Sequence, residues 1–159
     1  MLLDGFNHVA TLTADTDRLV GFYRDVFDAE VRRDGPEAPP DAPPTPAVRL
    51  TIIDVGPHSE LNVFQVEGNT EAERQTPMFG RGRIDHLAVQ AASLEAFETI
   101  RDRLMARGAA DAFVTDFGPI LSVFFRDPDG LECELCVTNP DARAGVFNPP
   151  GTPAARYAP

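Results

Sequence analysis

One pattern of elements is written twice along the chain, and a sequence of that kind folds as two copies of a single module. Each copy opens on a short alternating run, GFNHVATLT at 5–13 and RIDHLAVQA at 83–91. A helical run follows. Leu19, Val20, Tyr23, Val26 and Phe27 share one helix face behind a candidate N-cap at Asp15. In the second copy Phe97, Ile100, Leu104 and Met105 do the same, with Ser93 as N-cap and Gly108 as the stop. Three β-type runs then close each copy: Glu30–Arg33, Val48–Val55 and Glu60–Val66, then Phe113–Thr115, Leu121–Arg126 and Leu131–Val137. The last two runs of each copy are joined by turn-forming sequences, Gly56-Pro57-His58-Ser59 and Asp127-Pro128-Asp129-Gly130. The predicted fold class is therefore α+β: two tandem βαβββ modules forming a cupped mixed β-sheet with helices on the outside. The expected organisation is a first module at 1–66, a polar Gly-bearing linker at 67–83, a second module at 84–138 and a Pro-rich tail at 139–159. Pro-rich sequence at 34–47 and in the tail favours extended, poorly hydrogen-bonded backbone, so both read as loops or arms.

Charge excludes some function classes. The 159 residues carry 14 Lys plus Arg against 25 Asp plus Glu, a formal charge of −11, with no basic run. Such a chain lacks the cationic surface that grips a phosphate backbone or an anionic bilayer, so neither nucleic acid nor membrane is an expected partner. No apolar stretch approaches the roughly 20 residues that span a bilayer, and the acidic start (Met1, Leu2, Leu3, Asp4) does not read as a signal peptide. Two cysteines, Cys133 and Cys136, make no disulfide scaffold. A cytoplasmic protein with reduced thiols is the expectation.

Three histidines are present, His8, His58 and His86, and two of them hold the same place in the two copies, the middle of the opening strand. Alternation puts His8 opposite Val9, and His86 opposite Leu87 and Val89, so both imidazoles face away from the apolar set that packs on the helices. Paired about a pseudo-two-fold axis, the modules would turn both rings into one concavity. In the closing run of the second copy Glu134 shares a face with Glu132 and Cys136, and laying Leu61-Asn62-Val63 on Cys133-Glu134-Leu135 puts Asn62 where Glu134 stands. Gln65 falls on the opposite face. Two imidazoles and one carboxylate on a common face suit one divalent first-row ion (Fe, Mn, Co, Ni or Zn) with a position left open. His8, His86 and Glu134 are the candidate metal ligands, and Asn62 is a weaker fourth because neutral amides are poor ligands.

These residues resemble the vicinal oxygen chelate superfamily, the group of glyoxalases, fosfomycin-resistance proteins, extradiol dioxygenases and bleomycin-binding proteins. The resemblance covers about 5–138 and rests on the His8 run with Phe22-Tyr23-Arg24-Asp25-Val26-Phe27, on the His86 run, and on Phe125–Leu135. The last of these is similar to the family's closing hairpin with its terminal ligand glutamate. The resemblance implies His8, His86 and Glu134 as ligands and Asn62 at the fourth position. Extradiol dioxygenases carry an acid–base His upstream of the Asp-Pro turn and a Tyr just before it. Here no His lies between His86 and Glu134, and Phe124 stands in place of the Tyr. Glyoxalase-like members end the first helix in a Gly-containing turn, where this chain has Asp28-Ala29. The implied function is a metal-dependent enzyme of the glyoxalase/dioxygenase type, its ion acting as a Lewis acid on a small oxygenated substrate, with a lyase or isomerase preferred. An extradiol-type dioxygenase and a metal-free small-molecule binding protein are the alternatives, and a homodimer is the expected assembly.

Other features are weaker. Cys133-Glu134-Leu135-Cys136 matches C-x-x-C, but a strand sends the two sulfurs to opposite faces. His58 reads as a solvated turn residue, and Gly80-Arg81-Gly82 is too short for a phosphate loop. Glu132, beside Glu134, is the candidate catalytic general base, placed near the turn where a solvated side chain is expected.

Overall fold

The computed structural model describes residues 2, 5–36, 47–74, 76, 80, 82–110 and 113–141. Two compact units divide the chain between 75 and 76. In the first, β1 (His8–Leu12), α1 (Thr16–Phe27), β2 (Val31–Pro36), β3 (Val48–Gly56) and β4 (Ser59–Val66) form a sheet in the order β1-β4-β3-β2. In the second, β5 (Leu87–Gln90), α2 (Leu94–Ala106), β6 (Thr115–Asp116), β7 (Ile120–Arg126) and β8 (Glu132–Thr138) form a sheet in the order β5-β8-β7-β6. Each sheet is mixed, with β1 parallel to β4 and β5 parallel to β8, and the remaining pairs antiparallel. The twofold βαβββ architecture is thus the one expected. Among the described residues between β4 and β5, Glu71–Glu73 form a 3₁₀ turn with Ala72 buried.

Both helices form as their spacing and caps dictate. Asp15 accepts from the Arg18 N–H and Ser93 from the Ala96 N–H, each satisfying a donor the first turn leaves open. Leu19, Val20, Tyr23 and Val26 are buried along α1, and Phe97 and Leu104 along α2. At the end of α1, Asp28 takes the left-handed conformation (φ 54°) that a glycine commonly fills, and its N–H bonds the Arg24 carbonyl at 3.0 Å. The Gly-free turn therefore closes the helix in the usual geometry.

Two expectations are corrected. Residues 34–36 continue β2 rather than opening a loop. Asp34 is held there by Arg49, whose Nε and Nη2 lie 2.6 Å from its two carboxylate oxygens, and by the Thr51 hydroxyl at 2.9 Å. As the outermost strand of its sheet, β2 tolerates a terminal proline without losing a ladder bond. The rest of the Pro-rich stretch, 37–46, and the tail from 142 onward lie outside the described residues. Second, His8 is the first residue of β1 and His86 directly precedes β5, so neither sits mid-strand.

The hairpin between β7 and β8 stores a pH-dependent penalty. Burial pushes the Asp127 carboxyl up to about 6, against backbone N–H bonds that pull it down, including one from Leu131 to Oδ1 at 2.8 Å. A carboxyl whose folded value lies above its unfolded one leaves stability intact below pH ~4 and subtracts from it as the pH rises to ~6. The full shift corresponds to ~3 kcal/mol. Partial exposure and the weaker acceptance of an amide reduce the expected gain of Asp127→Asn to about 1–2 kcal/mol above pH 6, vanishing near pH 4. Denaturant melts across that range check it; a gain independent of pH would exclude this origin.

Candidate functional site

Alternation along β8 sorts the second sheet into two faces. Cys133, Leu135 and Val137, with Val123 and Phe125 of β7, are buried on the side where α2 packs. Glu132, Glu134 and Cys136 occupy the other. Register places Glu134 between Ala88 of β5 and Phe124 of β7, in the middle of the sheet. There its carboxylate is 10% exposed and held from two sides. The buried Ser122 hydroxyl donates to Oε1 at 2.5 Å, and His86 Nε2 lies 3.2 Å from Oε2. The other imidazole nitrogen, Nδ1, is 2.9 Å from Oδ2 of Asp85, and the Phe124 ring meets the imidazole edge-on with centroids 6.1 Å apart.

This geometry has a chemical reading. An ionised carboxylate only accepts, so the proton of the Asp85–His86 bond belongs to Nδ1. The same rule applies at Oε2 of Glu134, so a neutral ring protonated at Nδ1 leaves Nε2 as a lone pair facing an acceptor. Two acceptors 3.2 Å apart call for a positive centre, either a proton or a cation, to join them. The donor set, one imidazole nitrogen and one carboxylate oxygen each anchored from behind, fits a divalent first-row ion. Beside it, burial, and secondarily the Glu134 charge, push the Cys136 thiol up to about 12, which favours its protonated form.

Glu132 differs from its expectation as a solvated side chain. It is 6% exposed, and Arg126, directly across the ladder, bonds Oε1 through Nη2 at 3.2 Å. The Arg126 side chain is 46% exposed, whereas that of Glu132 is nearly buried. Cys133 and Cys136 are both buried, unbridged and on opposite faces, so the C-x-x-C spacing is incidental to the strand.

In the first unit the corresponding positions are occupied differently. Asn62 stands between Ala10 and Ile52 as Glu134 stands between Ala88 and Phe124, confirming the alignment of the two closing strands. Its Oδ1 is buried without a hydrogen-bond partner, an acceptor that a donor or cation would satisfy. His8 is exposed, with Nδ1 2.8 Å from Oδ1 of Asn7. Gln65 faces the helix, as alternation requires, and its Oε1 accepts from the Thr16 N–H at 3.0 Å and hydroxyl at 2.7 Å. His58 is exposed in its turn and lines a cleft of about 510 Å³ with Asn7, Arg32, Asp54 and Glu60.

The structure therefore brings His86 and Glu134 together and places His8 in the other unit. Among the described residues, no group of three or more His, Cys, Asp and Glu side chains is arranged to hold a metal ion. Ser122, Asp85 and Asn7 were missed in the sequence. Ser122 lies two residues before Phe124, on the face that alternation assigns to Glu134. The two Asx residues immediately precede the paired histidines.

Comparison with known proteins agrees with this architecture. A family model described as Glyoxalase/Bleomycin resistance protein/Dioxygenase superfamily matches residues 5–135. A 2-epi-5-epi-valiolone epimerase from Actinomyces sp. is 28% identical over 141 residues, covering 81% of this chain and 76% of its own. Among solved structures, a glyoxylase/bleomycin resistance protein/dioxygenase domain from Frankia sp. superposes with a TM-score of 0.64 at 21% identity, covering 87% of this chain and 94% of its own. The fosfomycin resistance protein FosX from Listeria monocytogenes, complexed with Mn(II) and sulfate, superposes with a TM-score of 0.61 at 16% identity, covering 89% and 98%. No helix among the described residues is long and apolar enough to cross a membrane.

Proposed function

Because the chain belongs to the glyoxalase/bleomycin resistance protein/dioxygenase superfamily, we propose that it is a metal-dependent lyase or isomerase acting on a small oxygenated substrate. His86 and Glu134 hold the divalent ion, His8 joins them as the duplicate of His86, and Asn62 is the fourth candidate. The observation that carries this reading is the approach of His86 Nε2 to Glu134 Oε2 at 3.2 Å, each anchored from behind. A divalent ion there supplies Lewis acidity toward adjacent substrate oxygens. The chain's own groups do the rest. Ser122 fixes the Glu134 carboxylate so that Oε2 is turned to the imidazole, and the Phe124 ring packs edge-on against the His86 ring. Glu132, on the same sheet face, is the candidate for moving a proton, with Arg126 pinning one of its oxygens.

The Actinomyces relative is an epimerase, which favours the isomerase side of this reading. Epimerisation removes and returns a proton at one carbon, which needs a base and a means of holding charge on a neighbouring oxygen. The second reading, a metal-free small-molecule binding protein, is favoured by Asn62, a neutral amide standing where the other unit has Glu134. A homodimer in the cytoplasm belongs to the first reading as its proposed setting.

Elemental analysis of protein purified without added metal separates the two. The expected result is one divalent ion per chain in the wild type and none in His86→Ala, with Glu132→Gln retaining the ion. Metal-free wild-type protein that binds its small molecule as well as His86→Ala does would overturn the enzyme reading.

A further inference from the structure

We propose that Asp85 is a positioning residue, which with its counterpart Asn7 fixes the tautomer and aim of the histidine that follows it so that Nε2 is presented as a ligand. The proposal rests on the reading of His86 as a metal ligand. Neighbouring side chains on a strand point to opposite faces and cannot touch. The two contacts exist because the strands start late: β1 begins at His8 and β5 at Leu87, leaving Asn7 and Asp85 off the pleat and able to fold onto the next ring. The outcome is the same in both units, Asn7 Oδ1 at 2.8 Å from His8 Nδ1 and Asp85 Oδ2 at 2.9 Å from His86 Nδ1. Elsewhere on these faces the units have diverged, with Asn62 against Glu134 and Ile52 against Phe124. A contact retained amid that divergence, and attached each time to a histidine, points to a role in presenting the ring.

The physical basis is the single N–H of a neutral imidazole. An acceptor at Nδ1 holds that hydrogen there and leaves the Nε2 lone pair outward, while the bond stops the ring from turning about its Cβ–Cγ axis. A carboxylate acceptor also raises the basicity of Nε2, and partners of this kind are worth roughly 10–100-fold in metal affinity. An amide oxygen performs the orienting part without the charge, which is the arrangement at His8.

Titration of the full metal-free chain with Co(II), followed by its visible ligand-field absorption at fixed pH, tests the assignment. Asp85→Ala is expected to bind Co(II) about 10–100-fold more weakly and to shift the absorption bands, with an unchanged melting temperature. Asp85→Asn is expected to restore binding to within about threefold of wild type, because it supplies the acceptor that Asn7 supplies to His8. Wild-type affinity and bands in Asp85→Ala, or no rescue by Asn, would overturn the positioning role and leave the ligand assignment standing. Failure of the wild type to bind Co(II), or unchanged binding in His86→Ala, would overturn both. If Asp85→Ala does not fold, Asp85→Ser and Asn7→Ala carry the same expectation of weakened binding and altered bands, and wild-type behaviour in either folded variant counts against it.

Discussion

Glu134→Gln is expected to weaken divalent metal binding by about 3–5 kcal/mol, or two to three and a half orders of magnitude, without loss of fold. The carboxylate is 10% exposed and central in its sheet, so its charge is balanced by local groups rather than by water. Glutamine has the same shape and can still accept from the Ser122 hydroxyl, which occupies Oε1 at 2.5 Å. What changes is the atom facing the imidazole. An amide NH₂ turned toward His86 donates to the Nε2 lone pair and closes the gap that a cation would bridge. The site is thereby satisfied and neutral, and a neutral amide is a poor ligand for a first-row ion. Calorimetric titration of metal-free protein with Mn(II) or Zn(II) measures the loss. Undiminished affinity in a folded Glu134→Gln chain would remove Glu134 from the ligand set.

Phe97→Ala is expected to destabilise the protein by about 3–5 kcal/mol. Phe97 is fully buried (0% exposed) on α2, which packs against β8 from the side opposite Glu134. Truncation leaves a cavity that β8 cannot fill, because its ladder bonds to β5 and β7 hold the strand in place. In a chain of this size each kcal/mol lowers the melting temperature by roughly 2–4 °C, so a drop on the order of 10 °C is expected in calorimetry. Leu94, three residues earlier and 42% exposed, provides the control, with an expected change within about 0.5 kcal/mol for Leu94→Ala. Similar losses at the two positions would mean that α2 does not cover the core as described.

Much of this architecture was legible in the chain because its signals are local. Helix spacing and the caps at Asp15 and Ser93 report on residues three or four apart. Strand alternation alone places Glu134 and Asn62 on corresponding positions, in agreement with the registers Ala88–Glu134 and Ala10–Asn62. The same alternation put Gln65 on the helix side, where it holds the first turn of α1. Other features escaped it. Glu132 is polar and next to a turn, and nothing in its neighbours reveals that Arg126 sits directly across the ladder and covers it. The extension of β2 to Pro36 depends on Arg49, which is distant in sequence and holds Asp34 with two bonds.

By itself, the sequence determined the duplicated βαβββ order, the faces on which the polar residues stand and the matching of the two histidines. All of these follow from periodicities of two and 3.6 residues that any chain carries along its own backbone. Tertiary structure alone decided which groups meet: Ser122 with Glu134, Asp85 with His86 Nδ1, and His86 Nε2 with Glu134 Oε2. The reason is physical. Periodicity fixes the direction in which a side chain leaves its own backbone, whereas the distance between two polar atoms is set by strand register and by where a strand begins, and both of those are established by a second segment far along the chain.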